Sequence, residues 1–170
     1  MDKRGDWAVM FDLDETLVLT SALEPLRRKR RWIEVYASLD RTRLPRGTLQ
    51  FLEKVSQKAQ LAVVTKAPGS YAERLLAHHG IDIPVVVAYH DVKRVKPHPE
   101  GLLLASQKLG IAPSKCIYVG DDGNDVRAAR SAGFAPVGVC WGPARMDIGL
   151  ESVCTSWDEA YEEILRLIAG

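Results

Sequence analysis

The sequence changes from apolar to acidic within one stretch, Trp7-Ala8-Val9-Met10-Phe11-Asp12-Leu13-Asp14-Glu15-Thr16-Leu17. Its apolar part has the length and composition of a buried β-strand, which puts Asp12 and Asp14 at the carboxyl end. If the extended conformation continues through them, both side chains lie on the same side of the strand. Neighbouring carboxylates raise the pKa of one of the pair unless a cation or hydrogen-bond donors intervene. The stretch therefore predicts a metal ion and two different roles, although Asp and Thr at this point could also serve only as helix caps.

The length and charge of the chain limit the classes of protein it can belong to. It has 170 residues, of which 46% are hydrophobic. That length fits one domain, residues 1–170, with a core large enough to fold without disulfides. The 23 Lys and Arg nearly balance the 22 Asp and Glu, for a formal net charge of +1. This balance gives no overall electrostatic reason to bind nucleic acid or a membrane, so any such attraction must be local.

The cysteines and the amino terminus indicate a compartment. Cys116, Cys140 and Cys154 are isolated and lack the Cys-x-x-Cys spacing of zinc or redox sites. We expect ordinary thiols in a reducing environment. The polar segment Met1–Asp6 leads into a run too short to span a membrane. A cytoplasmic location with no membrane partner is therefore expected.

Short apolar runs alternate along the chain with longer segments of helical spacing. The strand candidates are Trp7–Phe11, Leu61–Thr65, Val85–Tyr89, Cys116–Gly120 and Pro136–Cys140, with a weaker one at Ser152–Cys154. The helix candidates are Gly47–Gln57, Gly69–His79, Pro99–Leu109, Asn124–Ala132 and Trp157–Ala169. Strands that alternate with helices pair in parallel through right-handed crossovers. The predicted fold class is therefore α/β, a three-layer α/β/α doubly wound, Rossmann-like parallel sheet.

Three polar features follow the later strand candidates. Thr65 ends the second candidate, Lys96 precedes Pro97 in the loop after the third, and the acidic loop Gly120–Asp125 follows the fourth. Open α/β sheets bind ligands at the carboxyl ends of their strands, so these groups are expected to meet near Asp12. A phosphoryl group needs donors for its oxygens, a cation and an in-line nucleophile, and this set supplies all three.

Each feature also has an ordinary explanation when taken alone. Thr65 could simply end a strand, Lys96 could be a solvated charge, and the acidic loop could cap a helix. The loop lacks the glycine and the final glutamate of a calcium-binding loop. The chain also has no Gly-x-x-x-x-Gly-Lys-Ser/Thr phosphate loop. Four separate coincidences in this order are hard to accept, which favours one shared site.

Taken together, the motifs resemble those of the haloacid dehalogenase (HAD) superfamily of phosphohydrolases, most closely its phosphoglycolate-phosphatase-like branch. The family's first motif, Asp-x-Asp-x-Thr, is similar to Asp12–Thr16, and its second, a Ser or Thr ending a strand, to Thr65. Its third, a Lys before a Pro, is similar to Lys96-Pro97, and its fourth, Gly-Asp-x-x-x-Asp, to Gly120–Asp125. The resemblance covers nearly the whole chain and implies a HAD-like core.

The resemblance implies roles for the carboxylates. Asp12 would be the nucleophile that carries an aspartyl-phosphate intermediate. Asp14 would be the general acid and base. Magnesium would be held by the Asp12 carboxylate, the backbone carbonyl of Asp14 and the Asp121 side chain, with Asp125 orienting a metal-bound water. Thr65 and Lys96 would bind the phosphoryl oxygens.

The segment between the first motif and the first long helix is short and basic. Residues 18–45 leave room only for a minimal cap insertion, which would leave the site open or need a lid from another subunit. Residues 18–46 hold eight Lys or Arg against three Asp or Glu. A solvated helix face is the usual reason for such a run, and a polyanionic partner is the alternative. The consecutive cations are Arg27, Arg28, Lys29, Arg30 and Arg31.

The leading functional prediction is a Mg²⁺-dependent phosphatase that hydrolyses a phosphate monoester through an aspartyl-phosphate. Two alternatives stay open: a phosphomutase of the same superfamily, which would need a lid that excludes water, and a non-catalytic module that senses phosphate or binds a partner. A small molecule or a nucleotide is the expected substrate. Glu15 stands where small-molecule phosphatases of the family often have Gly, so protein and nucleic-acid phosphates also stay open, as does the oligomeric state.

Overall fold

The computed structural model describes residues 5–142 and 147–170, and its centre is a parallel five-stranded sheet. The strand order is β3-β2-β1-β4-β5, so the first strand lies in the middle of the sheet. The chain runs from β1 through β2 to β3 on one side and then crosses to β4 on the other side of β1, and ligand sites of open α/β sheets lie at such a reversal. The strands are β1 Ala8–Phe11, β2 Gln60–Val64, β3 Val85–Val87, β4 Cys116–Gly120 and β5 Ala135–Gly138.

Helices connect the strands and cover both faces of the sheet. Short 3₁₀ turns lie at Ser21–Leu23, Leu39–Arg41, Tyr89–Asp91 and Pro113–Lys115. The α-helices are α1 Glu24–Arg28, α2 Trp32–Ala37, α3 Thr48–Ser56, α4 Gly69–His78, α5 Glu100–Leu109, α6 Gly123–Ala132 and α7 Trp157–Ala169. This architecture confirms the predicted α/β fold class.

Alternation along the central strand divides the core into two layers. Val9 and Phe11 of β1 belong to the apolar cluster that contains residues of α3, α4 and α7. Ala8 and Met10 belong to the cluster on the other face, with residues of α5 and α6. The side of α6 that faces the sheet is made of small residues, Ala128, Ala129 and Ala132, which let the helix approach the strands closely. The sheet is therefore buried on both faces, as a parallel sheet requires.

Two predicted strands are shorter than the sequence suggested. The candidate Val85–Tyr89 ends at Val87, because the chain turns where the Asp91 carboxylate accepts the Ala88 backbone N–H at 2.8 Å. The weak candidate Ser152–Cys154 is reduced to one parallel bridge, between Val139 and Cys154. The other predicted strands and helices are confirmed within one or two residues at each end.

The segment from residue 18 to residue 45 lies across the carboxyl edge of the sheet as short helical turns. Leu23, Val35 and Leu39 are buried and join the larger apolar cluster. The segment closes on itself where the Leu19 N–H donates to the Arg43 carbonyl at 2.8 Å. Its buried side chains attach it firmly to the core. Its assignment as a cap stays a prediction.

The structure bears on the predictions about membrane spans and thiols. None of the helices in residues 5–142 and 147–170 is long and apolar enough to cross a membrane. Among the described residues, Cys116 and Cys154 are free thiols. Residues 1–4, on which part of the cytoplasmic prediction rests, lie outside the described ranges.

Candidate active site

The end of β1 turns sharply between the two carboxylates of the first motif. Asp12 still follows the sheet, since its backbone N–H donates to the Val119 carbonyl at 2.9 Å. The next residues form a compact turn in which Leu17 and Val18 donate to the Leu13 carbonyl. Glu15 takes a left-handed conformation in this turn, with φ of 60°. The extended conformation therefore ends before Asp14, and its carboxyl group lies in surroundings separate from those of Asp12.

Three carboxylates meet at the carboxyl edge of the sheet. Asp12, Asp121 and Asp125 each present an oxygen within 4.8 Å of the other two. Asp12 directly follows β1, whereas Asp121 and Asp125 come from the loop after β4 and the first turn of α6. Like charges this close repel unless a cation lies between them. The carboxylates of the first and fourth motifs therefore lie close together, as the sequence predicts.

Lys96 supplies one buried cation to this cluster. Its Nζ donates to Asp12 Oδ1 at 2.9 Å and to Asp125 Oδ1 at 2.8 Å. The same ammonium also contacts the Tyr118 hydroxyl at 2.7 Å and the Val64 carbonyl at 3.1 Å. Burial by itself would lower the pKa of Lys96, but the negative charges beside it, Asp12 first, outweigh burial and hold that pKa well above its usual value. Lys96 is thus a permanently charged group at neutral pH.

Asp125 is held by the protein on both of its oxygens. Oδ1 accepts from Lys96, and Oδ2 accepts the backbone N–H groups of Asp121 at 3.1 Å and Asp122 at 3.2 Å. This approach needs a glycine at position 120, because a Cβ there would lie 2.5 Å from the Asp125 side chain. Both carboxylate oxygens of Asp125 therefore accept hydrogen bonds from the protein. A carboxylate held in a fixed position in this way can orient neighbouring polar groups.

Asp121 carries a strongly shifted pKa. Burial, followed by the charges of Asp12 and Asp125, raises the pKa of Asp121 to about 8. Its Oδ1 accepts a hydrogen bond from the Thr16 hydroxyl at 3.0 Å. Thr16 is itself fixed, since its carbonyl accepts the Trp141 indole N–H at 2.9 Å. Burial and two neighbouring carboxylates therefore disfavour the ionised form of Asp121.

These observations test whether a divalent cation fits. Hard cations such as Mg²⁺ prefer carboxylate oxygens, and three such groups converge here. The Lys96 ammonium offsets only part of the negative charge, because burial and mutual repulsion also raise the pKa of Asp125, to about 6. The three carboxylates and their excess of negative charge therefore fit a divalent cation.

The Asp14 carboxylate is surrounded by a separate set of side-chain hydrogen-bond donors. The Arg27 guanidinium makes a two-pronged ion pair with it, at 2.7 and 3.0 Å. The hydroxyls of Thr20 and Tyr71 each donate to Asp14 Oδ1 at 2.7 Å. Burial raises the pKa of Asp14, while Arg27 and the two hydroxyls act in the opposite direction. Arg27 also stacks over the Tyr71 ring, 4.8 Å from its centroid.

Thr65 directly follows β2, one residue beyond the end of the strand. Its backbone N–H donates to the Val87 carbonyl at 2.9 Å, and its hydroxyl accepts the Ala67 N–H at 3.0 Å. Thr65 is buried. A hydroxyl that accepts one hydrogen bond still has its own proton to donate.

Several partners of these groups have no sequence signal that would predict them. Tyr118, Tyr71 and Thr20 carry hydroxyls on a strand, a helix and a loop, which form no distinctive pattern. Arg27 belongs to the run of consecutive cations that predicts a solvated helix face, but its ion pair with Asp14 turns it inward. The other members of that run behave as surface charges where they are paired: Arg28 pairs with Glu24, and Arg31 with Glu34.

The fold and the site together define a hydrolase family. The family model described as "Haloacid dehalogenase-like hydrolase" matches residues 23–139 of this chain. The chain belongs to the haloacid dehalogenase-like hydrolase family.

Individual relatives and solved structures agree with this membership. Phosphoglycolate phosphatase of Escherichia coli K12 is 41% identical over 86 residues, which are 48% of this chain and 33% of the relative. The same figures hold for the phosphoglycolate phosphatase of Salmonella typhi. The matched segment therefore spans about a third of the length of these relatives.

Two solved structures share the fold over most of both chains. A crystal structure described as a predicted phosphoglycolate phosphatase from Haemophilus somnus 129pt has a TM-score of 0.79 at 23% identity and covers 94% of this chain and 98% of its own. The crystal structure of CbbY from Rhodobacter sphaeroides in complex with phosphate has a TM-score of 0.74 at 20% identity and covers 94% and 96%. At these identities the likeness establishes the fold.

Proposed function

We propose that this protein is a Mg²⁺-dependent phosphatase that hydrolyses a phosphate monoester through an aspartyl-phosphate on Asp12. The single observation that carries the proposal is the buried ion pair of Lys96 with Asp12, beside the Asp12, Asp121 and Asp125 cluster. An ammonium this deeply buried is costly unless anions compensate it. The site therefore concentrates both signs of charge at the switch point of the sheet, which is the arrangement that phosphoryl transfer uses.

Asp12 has the surroundings that a nucleophile needs. It directly follows the central strand, and Lys96 fixes one of its oxygens at 2.9 Å, which orients the carboxylate. In the proposed reaction an Asp12 oxygen forms a bond to phosphorus while the bond from phosphorus to the ester oxygen breaks. Water then attacks the aspartyl-phosphate and releases inorganic phosphate, which restores the Asp12 carboxylate.

A divalent cation would be held by the Asp12 carboxylate, the Asp14 backbone carbonyl and the Asp121 side chain. When bound, Mg²⁺ supplies positive charge that offsets the crowded carboxylates and the negative oxygens of the phosphoryl group. Asp125 would orient a water bound to the cation, which agrees with the fixed hydrogen bonds of its carboxylate.

Asp14 would protonate the leaving oxygen and later accept a proton from the attacking water. Two features support this role. Burial raises the pKa of its carboxyl group, which favours a proton-donating form. Asp14 also lines a cavity of about 680 Å³, where a leaving group could reach it. Thr65 and Lys96 would hold the phosphoryl oxygens, and residues 18–45 would act as the minimal cap on a single domain of residues 1–170.

The proposal is tested by replacing the nucleophile. Asp12→Asn keeps the size of the side chain but removes the attacking charge, so turnover of p-nitrophenyl phosphate with Mg²⁺ should fall at least about a thousandfold. Asp82→Asn is the matched control, because Asp82 is exposed and lies outside the cluster. Thermal unfolding followed by circular dichroism checks that both variants fold. Wild-type turnover in the Asp12→Asn variant would rule out the mechanism.

A further inference from the structure

The cavity beside Asp14 has a volume of about 680 Å³ and is built from four parts of the chain, of which the turn after β1 contributes Asp14 and Glu15. The basic segment contributes Arg27, Arg28, Arg30 and Trp32, and the loops after β2 and β3 contribute Lys66 and Tyr89. Its lining includes Asp14, the group that would protonate the leaving oxygen, but not Asp12, Lys96 or Asp121. In the proposed reaction, the part of the substrate beyond that oxygen would occupy it.

Most of the charges on the cavity wall are already paired. Asp14 is neutralised by Arg27 at 2.7 Å, and Glu24 by Arg28 at 2.6 Å. The Glu15 carboxylate is turned aside to accept the Thr20 backbone N–H at 2.8 Å. These three carboxylates and two guanidinium groups leave that part of the wall with a formal net charge of −1, carried by Glu15.

Two cations on the wall stand apart from these pairs. Within residues 5–142 and 147–170, the side chains of Arg30 and Lys66 form no ion pair or hydrogen bond. Both residues are exposed, and they come from separate parts of the chain, one from the loop before α2 and one from the loop after β2. Their two positive charges exceed the single unpaired carboxylate of Glu15, so the wall has a formal net charge of +1, which favours an anionic occupant.

Aromatic side chains form another part of the wall. Trp32 is held in place, since its ring packs 5.9 Å from that of Tyr71 and 6.2 Å from that of Tyr36. Tyr89 is half exposed, at 50%. A rigid indole and an accessible phenol suit a ligand that also presents a ring.

We propose that this cavity binds a second phosphate group, carried on the leaving group of the substrate, through Arg30 and Lys66. The inference rests on the proposed phosphatase function and narrows its substrate to phosphate monoesters that bear another phosphate. Arg provides planar paired donors for phosphate oxygens and Lys a compact charge, so the two can hold one phosphate from two sides. The second phosphate could belong to a nucleoside bisphosphate or to a sugar bisphosphate.

The test compares matched substrates. We would measure kcat/KM from released phosphate for adenosine 5′-monophosphate and adenosine 3′,5′-bisphosphate, and for glucose 6-phosphate and glucose 1,6-bisphosphate. Each charge-assisted contact contributes about a tenfold factor, so the bisphosphate should be preferred at least about tenfold, beyond the statistical gain of two scissile groups. A larger bisphosphate preference in the adenosine pair than in the glucose pair would indicate that Trp32 and Tyr89 contact the adenine ring. Equal preferences in the two pairs would indicate that the two cations alone recognise the second phosphate. Both results support the inference.

Variants separate the proposed cations from general charge. The double variant Arg30→Gln/Lys66→Gln should lose the preference for the bisphosphate. Lys29→Gln should keep it, because Lys29 belongs to the same exposed basic run but is not part of the cavity wall. A preference that survives in the double variant would overturn the inference, as would its loss in Lys29→Gln.

A simple aryl phosphate distinguishes the two levels of the proposal. If the wild type hydrolyses p-nitrophenyl phosphate but treats the paired substrates equally, the inference about the cavity is wrong and the phosphatase function stands. If p-nitrophenyl phosphate and every paired substrate are left intact with Mg²⁺, the proposed function is wrong and the inference fails with it.

Discussion

Gly120→Ala should destabilise the protein through one identifiable clash. A Cβ at this position would lie 2.5 Å from the Cβ, Cγ and Oδ2 atoms of Asp125. Carbon atoms pack at about 3.5–4.0 Å, so the Asp125 side chain would have to move by roughly 1 Å. Its hydrogen bonds to Lys96 and to the N–H groups of Asp121 and Asp122 have lengths of 2.8, 3.1 and 3.2 Å, and a shift of that size would break or weaken all three.

The expected cost of Gly120→Ala combines overpacking with these lost contacts. We expect the free energy of unfolding to fall by about 2–4 kcal/mol. For a domain of this size, that corresponds to a fall in Tm of about 5–15 °C. Urea denaturation gives the free energy and calorimetry gives Tm.

The matched control is Gly69→Ala. A Cβ at position 69 would meet only the Ala88 Cβ, at 3.7 Å, which is ordinary contact. Because Gly69 begins α4, alanine should leave stability unchanged or raise it slightly. Equal urea midpoints for Gly120→Ala and the wild type would refute the argument that Asp125 fills the space beside Gly120.

Two further predictions concern the buried charges. Tyr118→Phe removes the hydroxyl that contacts Lys96 at 2.7 Å and donates to the Val64 carbonyl at 2.8 Å. Urea denaturation should therefore show that the free energy of unfolding falls by about 1–3 kcal/mol. An unchanged urea midpoint would contradict this prediction. The pKa of Asp121 is raised to about 8 and that of Asp125 to about 6, so the folded protein binds protons that the unfolded chain has released. With EDTA present, its free energy of unfolding should therefore fall as pH rises from about 5 to 8, and Mg²⁺ should stabilise it more at the upper end. Stability that rises over this range in EDTA would contradict the pKa assignment.

The meeting of Asp12, Lys96 and Asp121 could be predicted from the sequence because of a simple geometric rule. Parallel strands end at the same edge of a sheet, so residues that follow different strands come together there. The order of the motifs along the chain therefore carries spatial information. Lys96 follows the rule although it lies in a loop, because its ammonium, once buried, must contact carboxylates.

The surroundings of Asp14 could not be predicted in the same way. The direction of its carboxyl group depends on the left-handed turn at Glu15, a conformation that non-glycine residues seldom adopt. Arg27 belongs to a helix of five residues, which is too short for periodicity to indicate which arginine faces inward. Tyr71 reaches Asp14 only because α4 packs against the sheet. These contacts are products of tertiary packing rather than of local pattern.

The ends of two strands escaped prediction for a related reason. The apolar run Val85–Tyr89 continues past the point where the strand stops, because a side-chain hydrogen bond from the Ala88 N–H to Asp91 replaces the ladder. Near Cys154, only one bridge forms to Val139 at the edge of the sheet. Composition predicts the presence of an element better than its last residue.

The most direct test of the account is to trap the covalent intermediate. The protein would be mixed with p-nitrophenyl phosphate and Mg²⁺, quenched in acid within a single turnover, and digested for peptide mass spectrometry. The account predicts one phosphoryl group, on Asp12, that is absent from the Asp12→Asn variant. A phosphoryl group on another residue, or substrate hydrolysis with no phosphorylated Asp12 at any quench time, would contradict it.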